Sequence, residues 1–130
     1  MKFTINTKHL KSKLDNLNKI AKDKSPLPLA KYFMVEVKED DILITATNLK
    51  ITLIGKLIPE KVSKTGTLCV IADKFYEIIK TVTDEFVEVY SEEKKLTTTT
   101  VYNVFVKTKT GKFKMSGDNA ELFPQPKRPI

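Results

Sequence analysis

The chain has 130 residues, 41% hydrophobic and 30% charged, and carries 23 basic against 16 acidic residues for a formal net charge of +7. That length suits a single hydrophobic core, no apolar run approaches the roughly 18 residues a membrane span needs, and the alternating N-terminus MKFTINTKHLK is no secretory signal, so one soluble domain in the cytoplasm is expected, with no membrane partner. Cys69 and His9 are the only cysteine and histidine, which excludes an internal disulfide, leaves no zinc-type ligand set and gives no reason to expect a cofactor or metal.

In chain order, MKFTI alternates as a strand does. Asn6 or Thr7 can then cap a helix whose apolar positions Leu10, Leu14, Leu17 and Ala21 recur every three to four residues. After the loop KDKSPLPLAKY come three strand-like runs, YFMVEVKE, DILITATN and KITLIGKL. A polar stretch, IPEKVSKTG, precedes a restart: TLCVIA reads as a strand, and ADKFYEIIKTV places Phe75, Ile78, Ile79 and Val82 at helical spacing. EFVEVYSEE, KLTTTTVYNVFVKTKT and GKFKMSG give three more strands, with the Thr97–Thr100 run assigned to a strand by its β-branching. The tail LFPQPKRPI is too rich in proline to continue a ladder easily. The order strand, helix, three strands thus occurs twice, an internal repeat of elements about 60 residues long. An α+β domain follows, with two amphipathic helices packed on one side of antiparallel sheets.

Catalytic chemistry finds no support. The four glycines, Gly55, Gly66, Gly111 and Gly117, are isolated, so no phosphate-cradling loop exists, and His9 has no serine or cysteine partner. Acids gather at 39–41 and 84–93, beside strands, where solvated turns and edges carry charge. Positive charge is segregated from them. Opposite its leucines the first helix presents Lys8, Lys11, Asp15, Asn18, Lys19 and Lys22, with Lys13 at the flank and Lys24 in the loop beyond. Lys107, Lys109, Lys112 and Lys114 follow without an acid, whereas the second helix, with Lys74, Glu77 and Lys80, is more nearly balanced. Of the basic residues 22 are lysines, a bias that source composition alone could produce, but composition does not predict the segregation. Aromatic residues do not interleave with the lysines, and side chains that read bases are scarce on the helices. A polyanionic partner is expected, and if it is double-stranded DNA the contacts go to its phosphates regardless of sequence.

MKFTI, HLKSKLDNL, SPLPLAK, ITATNLKITLIG, CVIADKFYEII and GKFKMSGDNAELFP, in that order over residues 1 to about 124, resemble the first domain of the bacterial DNA polymerase III β subunits, the sliding clamps. The resemblance implies the DNA-clamp fold for 1–124, with 125–130 as a Pro-rich linker or tail. It implies a non-catalytic processivity factor of DNA replication, in which three such domains per chain and two chains per ring encircle duplex DNA. Helices line the hole of such a ring, so Lys24, Lys22, Lys19, Lys11, Lys8 and Lys80 become the DNA-contacting residues, with Lys24 at the family's basic loop position. A late strand and the second helix form the family's dimer contact. Carried across, Phe113, Met115, Ile78 and Val82 supply its apolar part, and Lys74, Lys112 and Lys109 the cations that meet acids on the partner's last domain. Polymerase and clamp-loader subunits are implied as partners of the full-length homodimeric ring, through a pocket in its later domains. Two departures stand out: Asn48 and Lys50 replace a common acidic pair, and the region 96–110 is longer than usual, as an extended hairpin or bulge would be. The alternatives are a stand-alone basic nucleic-acid-binding module on a clamp-like fold and a protein that pairs with another clamp through Lys112–Met115.

Overall fold

Alternation in the first residues builds β1 (Lys2–Asn6), which buries Phe3 and Ile5 and turns Lys2 outward. A computed structural model of the chain describes residues 1–21, 31–48 and 50–119. The Asn6 side chain caps α1 (Thr7–Ala21), its Oδ1 accepting the His9 N–H at 3.1 Å. Leu10, Leu14 and Leu17 of α1 are fully buried, as their spacing requires. The expected connection KDKSPLPLA lies outside the described residues.

Three strands follow as a meander, β2 (Tyr32–Val37), β3 (Ile42–Thr47) and β4 (Thr52–Leu57). Asn48 closes the β3–β4 turn, its Oδ1 accepting the N–H groups of Lys50 and Ile51. Strand β5 (Lys61–Lys64) lies inside the polar stretch IPEKVSKTG, where no strand is expected from the sequence. Its four residues, KVSK, are too short and polar for a hydrophobic pattern, and it is held by pairing with β1 at the sheet margin. The second unit comprises β6 (Gly66–Ile71), α2 (Ala72–Thr81), β7 (Phe86–Lys95), β8 (Thr100–Lys107) and β9 (Lys112–Asp118). The β7–β8 hairpin is long, its pairing running from Glu88↔Lys107 to Lys95↔Thr100. Thr97–Thr99 form its turn, closed by Leu96 N–H to the Thr99 carbonyl at 2.8 Å, so most of the threonine run is not strand. β-branching suits a strand, but the register ends the ladder at Lys95 and leaves those threonines to cross between strands.

All nine strands form one antiparallel sheet in the order β4-β3-β2-β6-β9-β8-β7-β1-β5. The duplicated β-α-β-β-β order is present, and the two units exchange their leading strands. β1 pairs with β7 of the second unit, and β6 with β2 of the first. Both helices pack against the sheet and against one another, and their apolar stripes share one core with Phe3, Phe33, Val70, Val89 and Val104. Gly55 brings α1 close to β4: a Cβ there would sit 3.3 Å from Leu17 Cδ1.

Candidate nucleic-acid interface and assembly edges

Because their apolar sides are spent on the sheet, α1 and α2 turn their polar sides outward. On α1, Lys8, Lys13 and Lys19 are exposed, and with Lys11 they stand against a single acid, Asp15. On α2, Lys74 and Lys80 are exposed and are matched by Asp73 and Glu77. The helix layer is thus basic chiefly through α1. Lys22 and Lys24 lie outside the described residues.

Two of the residues read as part of the exposed α1 face sit differently. Asn18 is 2% exposed and belongs to the buried side, because it follows Leu14 by four residues and Leu17 by one. Lys11 is half-buried, and its Nζ donates to the Val82 carbonyl at 2.5 Å, at the C-terminal end of α2. A second tie between the helices runs from the Tyr76 hydroxyl, as donor, to Asp15 Oδ1. That bond, with a smaller contribution from burial, holds the phenol above the ordinary tyrosine range, so Tyr76 remains a donor. The Lys80 Nζ lies over the Tyr76 ring, 5.4 Å from its centroid. Periodicity gave no signal for either tie, since each depends on where α2 lies across α1.

At the other face of the second unit, β9 pairs with β8 throughout, but with β6 only at Cys69↔Asp118 and Val70↔Gly117. Among the described residues, therefore, no second strand pairs with Lys112–Ser116. Register fixes the side chains: Met115 stands opposite Val104 and Phe113 opposite Val106, so both lie on the helix side of the sheet. Met115 and Ile78 pack half-buried on the core, while Phe113 is 40% exposed. Val82 is 3% exposed and belongs to the core, so of the residues read as an apolar contact it is the one with no free surface. Lys112 turns to the opposite face, its Nζ 5.0 Å from the centroid of Phe105, a ring stacked on Tyr90. Lys109 projects from the β8–β9 turn, where its backbone N–H donates to Asp84 Oδ2 at 2.8 Å. Lys107, Lys109 and Lys112 line one open cleft of about 390 Å³ there, with no acid among its lining residues.

The opposite margin was not anticipated from the sequence. β4 ends the sheet, and Ile51, Leu53 and Ile54 on and beside it are 55%, 36% and 45% exposed. The alternation of KITLIGKL announces a strand, but only the strand order shows that it has no second neighbour among the described residues.

Among the described residues no group of three His, Cys, Asp or Glu side chains could hold a metal, and no helix is long and apolar enough to cross a membrane. The fold resembles that of solved clamps. The crystal structure of the DNA polymerase III subunit beta from Pseudomonas aeruginosa superposes with a TM-score of 0.86 at 23% identity, over 99% of this chain and 33% of that one. The Helicobacter pylori beta clamp bound to a DNA ligase peptide superposes at 0.82 and 21% identity, over 100% of this chain and 34% of that one. In sequence, the beta sliding clamp of Vibrio cholerae is 31% identical over 87 residues, which is 67% of this chain and 24% of that protein. The beta sliding clamp of P. aeruginosa is 26% identical over 125 residues, 95% of this chain and 32% of that protein. The chain thus spans about a quarter to a third of the length of these relatives. The model of the DNA polymerase III beta subunit N-terminal domain matches residues 1–126, and the chain belongs to that family.

Proposed function

We propose that this chain is one domain of a DNA sliding clamp, a non-catalytic ring that encircles duplex DNA and tethers the replicative polymerase. The observation that carries the reading is the α1 surface, where four lysines stand against one aspartate on the layer of the domain not covered by sheet. Lysines so placed neutralise phosphates without reading bases, and such screened contacts let a ring slide. Lys8, Lys19 and Lys80 are the described residues offered to DNA, and Lys22 and Lys24, which follow α1 in sequence, lie outside the described residues. Lys11 contributes charge from a fixed position.

A domain within a ring needs two covered edges. The Lys112–Ser116 part of β9, paired on one side only among the described residues, carries Phe113 and Met115, and with Ile78 beside it and Lys74, Lys109 and Lys112 around it, it suits an acidic partner surface in a homodimer. The apolar β4 edge suits the adjoining domain. Polymerase and clamp-loader subunits are partners of the longer protein, and the ligase peptide held by the H. pylori clamp suggests that ligase is another.

The test uses the full-length protein that contains this chain, loaded on nicked circular DNA by its loader. It should remain on circles through a salt wash and be lost when they are linearised. Lys24→Glu or Lys19→Glu should reduce loading on any sequence. Equal retention on circles and linear DNA would overturn the ring and favour a stand-alone binding module.

A further inference from the structure

Asp15 is the one acid of α1, and it lies four residues from both Lys11 and Lys19. On an isolated helix an aspartate four residues before a lysine pairs with it. Here, among the described residues, neither ion pair forms. Lys11 is committed to the Val82 carbonyl, and the Asp15 carboxylate is taken by the Tyr76 hydroxyl of the other helix. The same tyrosine ring seats the Lys80 ammonium. Tyr76 therefore sits between the only acid of α1 and a basic residue of α2, at the seam of the surface offered to DNA.

We infer that Tyr76 is a positioning residue for DNA binding: by holding the Asp15 carboxylate across the seam it keeps that acid from pairing with Lys19, and by its ring face it fixes Lys80. This rests on the helix layer being the DNA-facing surface. The phenol makes a neutral donor serve where a lysine would otherwise be consumed, so the acid is accommodated without loss of a free cation. Phenylalanine keeps the ring and its packing but releases the carboxylate, which then has Lys19 within one helical turn.

The experiment measures binding of this chain to a fluorescent duplex by anisotropy, at several salt concentrations, in a two-by-two set of Tyr76→Phe and Asp15→Asn variants. Tyr76→Phe should weaken binding roughly two- to fivefold, the scale on which an exposed ion pair acts, and should flatten the salt slope by up to about 0.9, as expected for one phosphate contact. In the Asp15→Asn background, where no carboxylate is left to capture Lys19, Tyr76→Phe should change neither quantity. An unchanged affinity in Tyr76→Phe would overturn the inference, and so would an equal loss in both backgrounds, which is what disturbed helix packing would give. Lys19→Ala and Lys8→Ala separate the two levels. If they leave binding unchanged, the DNA-facing assignment itself fails; if they weaken it while Tyr76→Phe does not, only the role of Tyr76 falls.

Discussion

The Lys11 ammonium donates to the Val82 carbonyl across 2.5 Å, joining the middle of α1 to the C-terminal cap of α2. Val82 N–H already bonds the Ile79 carbonyl, so the chain leaves α2 with its last turn closed and the next carbonyl capped by a cation. Lys11→Met keeps the aliphatic stem and removes the donor. It should lower stability by about 1–2 kcal/mol, the scale of a hydrogen bond to a charged group. DNA affinity should fall less than for Lys19→Met, because the Lys11 charge is already engaged. Urea denaturation and duplex titration of both variants check this, and a Lys11→Met variant as stable as the parent would refute it.

Gly117 sits on β9 where it joins β6, within the second unit and in the middle of the sheet. A Cβ there would lie 3.1 Å from both Leu68 Cδ2 and Val104 Cγ2 and 3.3 Å from the Cys69 carbonyl oxygen. The junction consists of only two residue pairs, Cys69↔Asp118 and Val70↔Gly117, so it has little ladder to spare. Tyr32 adds a side-chain hydrogen bond to Asp118, which raises the phenol above its ordinary range. Gly117→Val should cost roughly 1–3 kcal/mol through overpacking, despite the better strand propensity of valine. Amide hydrogen exchange should show the loss first in β9 and β6, and uniform protection would count against the junction as the weak point.

Phe113 tests the assembly edge. It is 40% exposed in the isolated domain, so Phe113→Asp should leave the stability of this chain within about 0.5 kcal/mol of the parent. In the full-length protein the same change puts a carboxylate against the proposed acidic partner surface and should move the sedimentation profile from dimer toward monomer. A dimer that survives would remove β9 from the interface.

Much of this molecule was legible in its residues, and the parts that were not share a cause. The leucine spacing of α1, the alternation of the strands and the restart at TLCVIA are local patterns, and each has its counterpart in the structure. The long β7–β8 hairpin was likewise foreshadowed by an overlong 96–110 region. β5 escaped because its reason for being a strand is β1, some sixty residues earlier in the chain. Polarity places Asn18 on the outer side of α1, whereas the helix geometry carries it into the core. For Lys11 and Asp15 the helix pattern gave the correct exposed side of α1 but not α2 lying beside it, and that neighbour decides which charges remain free. Within one helix face, then, lysine count describes the field but not the individual contacts.

Cys69 gives a prediction in alkaline solution. The thiol is fully buried on β6, and burial, with the nearby Asp118 charge as the smaller cause, pushes its pKa from 9.0 up to about 12. Well below pH 9 the group is protonated in both folded and unfolded chains and adds no pH dependence. Between 9 and 12 the unfolded chain releases the proton while the native one retains it, so the unfolded state binds fewer protons and stability falls as pH rises. The limiting slope for one such group is about 1.4 kcal/mol per pH unit. Lysines and tyrosines also titrate there, so the informative quantity is the difference between the parent and Cys69→Ala. The alanine variant should be less stable at pH 8 because of the cavity it leaves, yet its stability should decline less steeply from pH 9 to pH 10.5. Parallel declines in urea denaturation would show that the thiol does not stay protonated in the fold.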